Sequence, residues 1–165
     1  KSWGSSTNLI KLSLRSNWLR QINQTHQFIL KTELGAIYAD SIDDVPNSLR
    51  FYSGGDDNLK AYDFKSVAPL NSDDPRLARG GLYQAQMSIE YSYPVLKNWR
   101  LATFYDAGST SDKFFSDIKT DAGVGVRWQT PVGPISINFA WGLESDPHDD
   151  FNYPFRFGFS IGVNL

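Results

Sequence analysis

The chain contains no cysteine, which excludes a disulfide scaffold, a cysteine-ligated zinc site, a thiolate nucleophile and an iron–sulfur centre together. It lacks an excess of either charge: 16 Lys and Arg stand against 18 Asp and Glu, a formal net charge of −2 over 165 residues. No nucleic-acid partner is expected from that balance, because a binder of phosphate backbones carries a basic face or stripe. It also lacks any apolar run near the roughly 18 residues that a membrane-spanning helix needs. A helical membrane protein is thereby excluded, and a strand-built one is not. No secretory signal is visible, since Lys1-Ser2-Trp3-Gly4 runs directly into polar residues with no apolar central region. The first residues read as part of a strand or its turn, within a piece of a longer chain.

What the chain does have is alternation. Hydrophobic residues make up 41% and aromatic residues 15%, and they recur at period two along most of the length. Phe155, Phe157, Phe159, Ile161, Val163 and Leu165 form one row at the end of the chain, opposite Arg156, Gly158, Ser160, Gly162 and Asn164. Ile135, Ile137, Phe139 and Trp141 oppose Ser136, Asn138 and Ala140, and Met87, Ile89 and Tyr91 oppose Gln86, Ser88 and Glu90. Similar rows predict strands within 10–14, 28–38, 101–105 and 122–128 and a shorter one over 49–53, about eight antiparallel strands in an all-β fold.

Strands of about nine to eleven residues match a tilted crossing of a bilayer better than the five or six usual in soluble sheets. Short connections at 20–24, 94–98 and 131–134 contrast with long ones at 54–80, 107–120 and 144–154, as in outer-membrane barrels. A soluble sandwich shares the alternation but turns its apolar row inward. Rows of glycine and serine opposite large aromatics, with Trp18, Trp99, Trp128, Trp141, Tyr91 and Tyr93 near strand ends, favour a barrel with interfacial girdles and a polar lumen.

Three stretches carry a resemblance. The run Gly123-Val124-Gly125-Val126-Arg127-Trp128-Gln129-Thr130-Pro131-Val132-Gly133-Pro134-Ile135 resembles the penultimate hairpin of the outer-membrane assembly-factor superfamily, the bacterial surface antigen family that contains BamA, TamA and the two-partner-secretion transporters. The tail from Arg156 through Gly158, Ile161, Gly162 and Val163 resembles the barrel-recognition signal of that family, although it ends in Leu165 rather than phenylalanine. The stretch from Arg50 to Pro69 resembles a strand and long lumenal loop, closer to the TamA form than to the BamA form. Where that loop carries a Val-Arg-Gly-Tyr/Phe core, this chain reads Leu59, Lys60, Ala61 and Tyr62. Lysine keeps the charge but loses the planar fork of arginine, and alanine has fewer backbone choices than glycine.

The resemblance implies the C-terminal half of a barrel of about sixteen strands, with periplasmic POTRA repeats upstream and the loop at about 54–80 folded into the lumen. It implies assembly or secretion of β-rich outer-membrane clients such as autotransporters, in a Gram-negative outer membrane, with a TamB-like inner-membrane-anchored subunit as a further partner. Neither catalysis nor a cofactor is implied. A closed eight-stranded barrel would leave the loop little room, and a passive pore or receptor barrel is the alternative function.

Within this picture Lys60 is expected to pair with Asp106 or Glu90, two acidic residues on inward rows at positions that match the family's. Solvation of a wet lumen by those carboxylates is the competing expectation. Gly158 and Gly162, on the inward row of the last strand, are expected either to weaken a lateral seam that opens for clients or to make room for the loop. Other chemistry is sparse. His26 has no ligand or triad partner at suitable spacing, the acidic run around His148 lacks the order of a calcium loop, no Gly-x-Ser-x-Gly elbow occurs, and a lipase-like triad has no partner set. The Gly54-Gly55 and Gly80-Gly81 pairs read as hinges, since no helix follows either to make a phosphate cradle.

Overall fold

The computed structural model of the chain describes residues 9–71, 74, 77–131, 133–144 and 153–162. Seven strands form one antiparallel sheet in simple chain order: β1 (Ile10–Ile22), β2 (His26–Tyr38), β3 (Tyr83–Leu96), β4 (Trp99–Ser111), β5 (Lys119–Thr130), β6 (Gly133–Gly142) and β7 (Phe155–Ile161). Each strand pairs with the next in sequence, and β1 and β7 are the edges. The sheet is therefore open across the described residues. No helix among them is long and apolar enough to cross a membrane, whereas strands of 13 or 14 residues, such as β2 and β3, exceed the length a tilted crossing requires.

Tight hairpins join one end of the sheet. Asn23 and Gln24 both take left-handed backbone (φ 52° and 56°) between β1 and β2, the pair of positive φ values that a two-residue turn needs to match strand twist. The β3–β4 and β5–β6 connections at the same end are shorter still, at two residues each against three between β1 and β2.

The eighth strand expected over 49–53 is not a member of the sheet. Phe51 and Ser53 make only isolated bridges, to Gly81 and Val67, inside a connection that runs from 39 to 82 and so begins well before the expected 54. Local alternation there reflects a segment pressed between the sheet and its own loop: Phe51 is buried with Ile37 and Val45. The β4–β5 connection is conversely shorter than 107–120. Strand β4 continues to Ser111 through Gly108, Ser109 and Thr110, and the outer row ends in Ser109 and Ser111, whose hydroxyls donate to the Ser116 and Lys113 carbonyls of the folded-back β4–β5 connection.

Burial is inverted relative to a water-soluble sheet. On β3 the buried side chains are Gln84, Gln86, Ser88 and Ser92, while Met87, Ile89 and Tyr93 are exposed. Every outward residue of β7 is more than half exposed, from Phe159 at 51% to Ile161 at 69%. Hydrophobic burial cannot hold such a surface in water; it requires a lipid phase outside. The long connection covers the opposite face, which defines the inner side.

Aromatic rings collect at two levels of the outer face. Trp99 and Trp128 stack at 5.2 Å and 8° beside the short turns, and Trp141 packs on Phe155 at 5.2 Å toward the other end. Trp128 stands opposite Ile135, so on β6 the two levels are separated by the six steps from Ile135 to Trp141, about 20 Å of strand. That spacing approaches the roughly 25 Å apolar band of an outer-membrane barrel. His26 joins the first level: its Nδ1 lies 2.8 Å from the Tyr91 hydroxyl and its ring stacks on Tyr91, a partner the linear sequence conceals 65 residues away.

Candidate functional site

The connection between β2 and β3 crosses the inner face from β1, where Lys11 Nζ donates to the Leu49 carbonyl at 2.7 Å, to β7, where Asp56 meets Arg156. Its base is tied down by polar contacts, with Ser53 bonded to Thr110 of β4 and to Gln86 of β3. Its tip is a compact turn. The Gly54 N–H donates to Asn58 Oδ1 at 2.9 Å, and the Lys65 N–H returns to the Gly54 carbonyl at 3.2 Å. Gly54 has a φ of +102°, and a Cβ there would meet the Asp63 carbonyl at 2.3 Å. The glycine pair therefore closes a packed turn, and Gly80, wedged against Tyr52 at a φ of +85°, does the same at the exit.

Leu59, Lys60, Ala61 and Tyr62 are all buried. Leu59, Ala61 and Tyr62 join Val67, Phe104 and Ala140 in one apolar cluster beneath the loop. The alanine at 61 causes no backbone strain, since the left-handed residue is Leu59, with φ 48°. A branched side chain pays for that conformation, and here the fully buried leucine is held in it by its packing against Gly108.

Lys60 is the polar centre of the tip. Its Nζ lies 2.6 Å from Asp106 Oδ2, with side-chain exposures of 9% and 1%, and 4.3 Å from the Phe104 ring centroid. One charge-assisted hydrogen bond and a cation–π contact thus occupy a cation that cannot make a bidentate fork. Phe104 sits on the inner row because Gly123, opposite it in register, leaves the room.

Glu90 stands elsewhere. It accepts two hydrogen bonds from Arg127, Nε at 3.1 Å and Nη2 at 2.5 Å, a wall-to-wall pair from β3 to β5 that leaves the loop tip to Asp106. Three further contacts escaped the sequence reading. The Ala61 N–H donates to Asp121 Oδ2 at 2.9 Å, and Asp121 faces Asp106 directly in the β4–β5 register. The Tyr62 hydroxyl lies within hydrogen-bonding distance of Glu144 Oε2 and the Thr120 carbonyl, at 3.2 and 3.3 Å. Glu144 also accepts from the Thr120 N–H at 2.5 Å and hydroxyl at 2.6 Å, so it braces the wall instead of joining a cation site. Asp121 lies on the polar row of β5, which was its one sequence signal.

The third contact is on β7. Arg156 Nη1 donates to Asp56 Oδ1 at 2.8 Å, and Gly158 is buried beneath the same carboxylate. Ile161 faces outward, and the Gly162 N–H donates to the Pro134 carbonyl at 2.9 Å, closing the end of β7 against β6. Val163 and His148 lie outside the described residues. Beyond the loop tip the inner face keeps a charged cleft of about 400 Å³, lined by Lys31, Asp57, Lys60, Glu90, Arg100 and Arg127. Among the described residues no cluster of His, Asp or Glu is placed to hold a metal ion.

The chain is similar to known proteins over nearly all its length. It is 28% identical over 167 aligned positions to the outer membrane protein assembly factor BamA of Nitratidesulfovibrio vulgaris, covering 96% of the chain and 21% of that protein. It is 23% identical to the BamA of Neisseria meningitidis serogroup B, covering 98% of the chain and 24% of that protein. The chain thus spans about a fifth to a quarter of the length of these relatives. Its fold superposes on the crystal structure of BamA from Haemophilus ducreyi lacking POTRA domains 1–3, with a TM-score of 0.69 at 17% identity, covering 92% of the chain and 34% of that structure. Residues 2–163 match the model of the Omp85 superfamily domain, and this open, inside-out sheet with its inward loop belongs to the Omp85 superfamily of outer-membrane β-barrel proteins.

Proposed function

We propose that the chain is one wall of the barrel of an outer-membrane protein assembly factor, and that its work is to help insert or secrete β-rich client proteins. The observation that carries the reading is the loop tip latched to the inner wall, with Lys60 on Asp106 and the Ala61 N–H on Asp121. A connection spread over all seven strands leaves a passive pore little free lumen on this side, which supports a moving-part role over simple conduction. In this reading the sheet supplies about half of a barrel of some sixteen strands, completed by strands and POTRA repeats elsewhere in the protein. The relatives compared are BamA proteins, and the particulars of the TamA form, autotransporter clients and a TamB-like inner-membrane partner, belong to this proposal as its narrower version.

The last strand is where a client would enter. Among the described residues β7 is the shortest strand, Phe155–Ile161, and pairs on one side with β6; an edge of free backbone groups can template an incoming strand. The test uses the full-length protein in lipid vesicles with a radiolabelled β-barrel client and an autotransporter as a second client. Lys60→Ala and a disulfide locking the last strand to the first should each lower client folding at least several-fold. Full client assembly in both variants overturns the proposal, and assembly of the barrel client alone removes the autotransporter refinement.

A further inference from the structure

The barrel-recognition signal asks only for a polar residue at position 156, yet Arg156 makes a directional hydrogen bond to the loop. Its Nη1 donates to Asp56 Oδ1 at 2.8 Å, and its Nε lies 3.9 Å from Asp63 Oδ1. Asp56 and Asp63 lie on the two arms of the loop-tip turn, so the guanidinium is bonded to one arm and stands near the exposed carboxylate of the other. Two residues along the same face, Gly158 provides the gap: a Cβ there would stand 2.8 Å from that same Asp56 oxygen. The strand thus presents a cation and a cavity that together seat one carboxylate. At the other side of the tip Lys60 is fixed to Asp106 on β4, three strands away from β7.

We propose that Arg156 and Gly158 form a seat for Asp56 that couples the last strand to the loop, so that the loop acts as a strut between β4 and β7. Resting on the reading of β7 as the strand that opens, the coupling means that lifting the loop tip frees the last strand, and displacing the last strand loosens the tip. Gly158 then serves to admit the loop carboxylate, and a weak seam is a consequence of loop release instead of a missing side chain. Arg156 is a positioning residue in this scheme. Its charged neighbours on the loop are Asp56 and the exposed Asp63, whose charge it offsets at the last strand.

The test is a charge swap in the full-length protein in lipid nanodiscs. Arg156→Asp and Asp56→Arg should each raise the rate of loop cleavage by added protease and speed amide exchange across Phe155–Ile161 by tenfold or more, and the double swap should restore both. Lys60→Ala, which touches no atom of β7, should also speed exchange in β7. Asp56→Asn, the mildest change, keeps the side chain's shape and should give an intermediate effect if the reversals fail to fold. Unchanged exchange in β7 for Asp56→Asn and Lys60→Ala, or a double swap no better than the singles, overturns the coupling. If exchange responds as stated while client folding ignores every variant, the strut stands and the assembly reading of the protein fails.

Discussion

The ring of Phe104 fills the space that a side chain at position 123 would occupy. A Cβ on Gly123 would stand 2.3 Å from Phe104 Cζ and 2.2 Å from the Phe139 carbonyl. Since Phe104 also carries the ammonium of Lys60 on its face, the absence of one side chain on β5 sets the position of the loop tip on β4. Gly123→Ala should therefore destabilise the protein by about 1–3 kcal/mol, the usual cost of forcing extra volume into a packed site, even though alanine is otherwise the better strand residue. Urea titration of the vesicle-embedded full-length protein measures the loss, and protease access to the loop should rise in parallel. Equal or greater stability would show that the ring moves aside freely.

The departures from the family's loop core lead to a prediction of opposite sense from the one the sequence suggests. Position 61 is not left-handed, so restoring glycine there gains no conformational relief. Ala61→Gly should cost roughly 0.5–1 kcal/mol through added freedom of the unfolded chain and should leave the loop no better protected. Lys60→Arg should retain the latch, since the guanidinium also stacks on aromatic rings, whereas Lys60→Ala strands the buried Asp106 carboxylate, at about 3–5 kcal/mol. Loop cleavage by a soluble protease ranks the three variants, and the order alanine fastest, then glycine, then arginine checks the prediction.

Much of this arrangement is visible in the order of residues, and the reason is the period of two. Seven rows of alternating side chains are long enough to mark the strands of the sheet, and the glycine and serine rows mark the inner face. The stretch 49–53 misleads because a short alternation such as Leu49, Phe51 and Ser53 looks the same whether it joins a sheet or lies against one. Phe51 reaches its neighbours Ile37 and Val45 only after the loop has folded back. The pairing of Glu90 with Arg127, and not with the loop, depends on strand register: Arg127 is on β5, two strands from β3, and nothing local to either residue states that distance. Asp121 and Glu144 were illegible as loop contacts for the same reason, as their partners come from a segment some 60 to 80 residues away.

Register also separates the roles of the two acidic wall residues. Glu90 and Arg127 form a partly enclosed two-bonded pair, with side-chain exposures of 14% and 15%, and neither touches the loop core. Arg127→Lys keeps the charge but cannot reproduce the fork, so a loss on the order of 1–2 kcal/mol is expected from a charge-assisted bond given up. The unfolding midpoint of the barrel should fall while the loop-cleavage rate in the folded protein stays at its starting value. Asp106→Asn should do the reverse in emphasis, raising loop cleavage strongly. A rise in loop cleavage for Arg127→Lys equal to that of Asp106→Asn would mean that Glu90 reaches the loop after all.

The stacked indoles of Trp99 and Trp128, 5.2 Å apart and nearly parallel at 8°, supply a spectroscopic signature of the membrane-embedded fold. They are direct register partners on β4 and β5, so their geometry is fixed by strand pairing and not by loop position. Two indoles stacked this close couple their electronic transitions through the angle between their in-plane transition moments, and the folded protein should show a coupled band in the far-ultraviolet circular dichroism that Trp99→Phe and Trp128→Phe each abolish. Because an aromatic pair contributes roughly 0.5–1.5 kcal/mol beyond its buried area, either change should also lower stability by about that amount. At the interface level the rings further anchor the short-turn end at the headgroups. Replacing both with alanine should therefore slow insertion into preformed vesicles, measured by the gel shift between unfolded and folded forms. The band should survive the loop variant Lys60→Ala unchanged, since that residue lies on the other face of β4; its loss there would show that the loop holds the strand register itself.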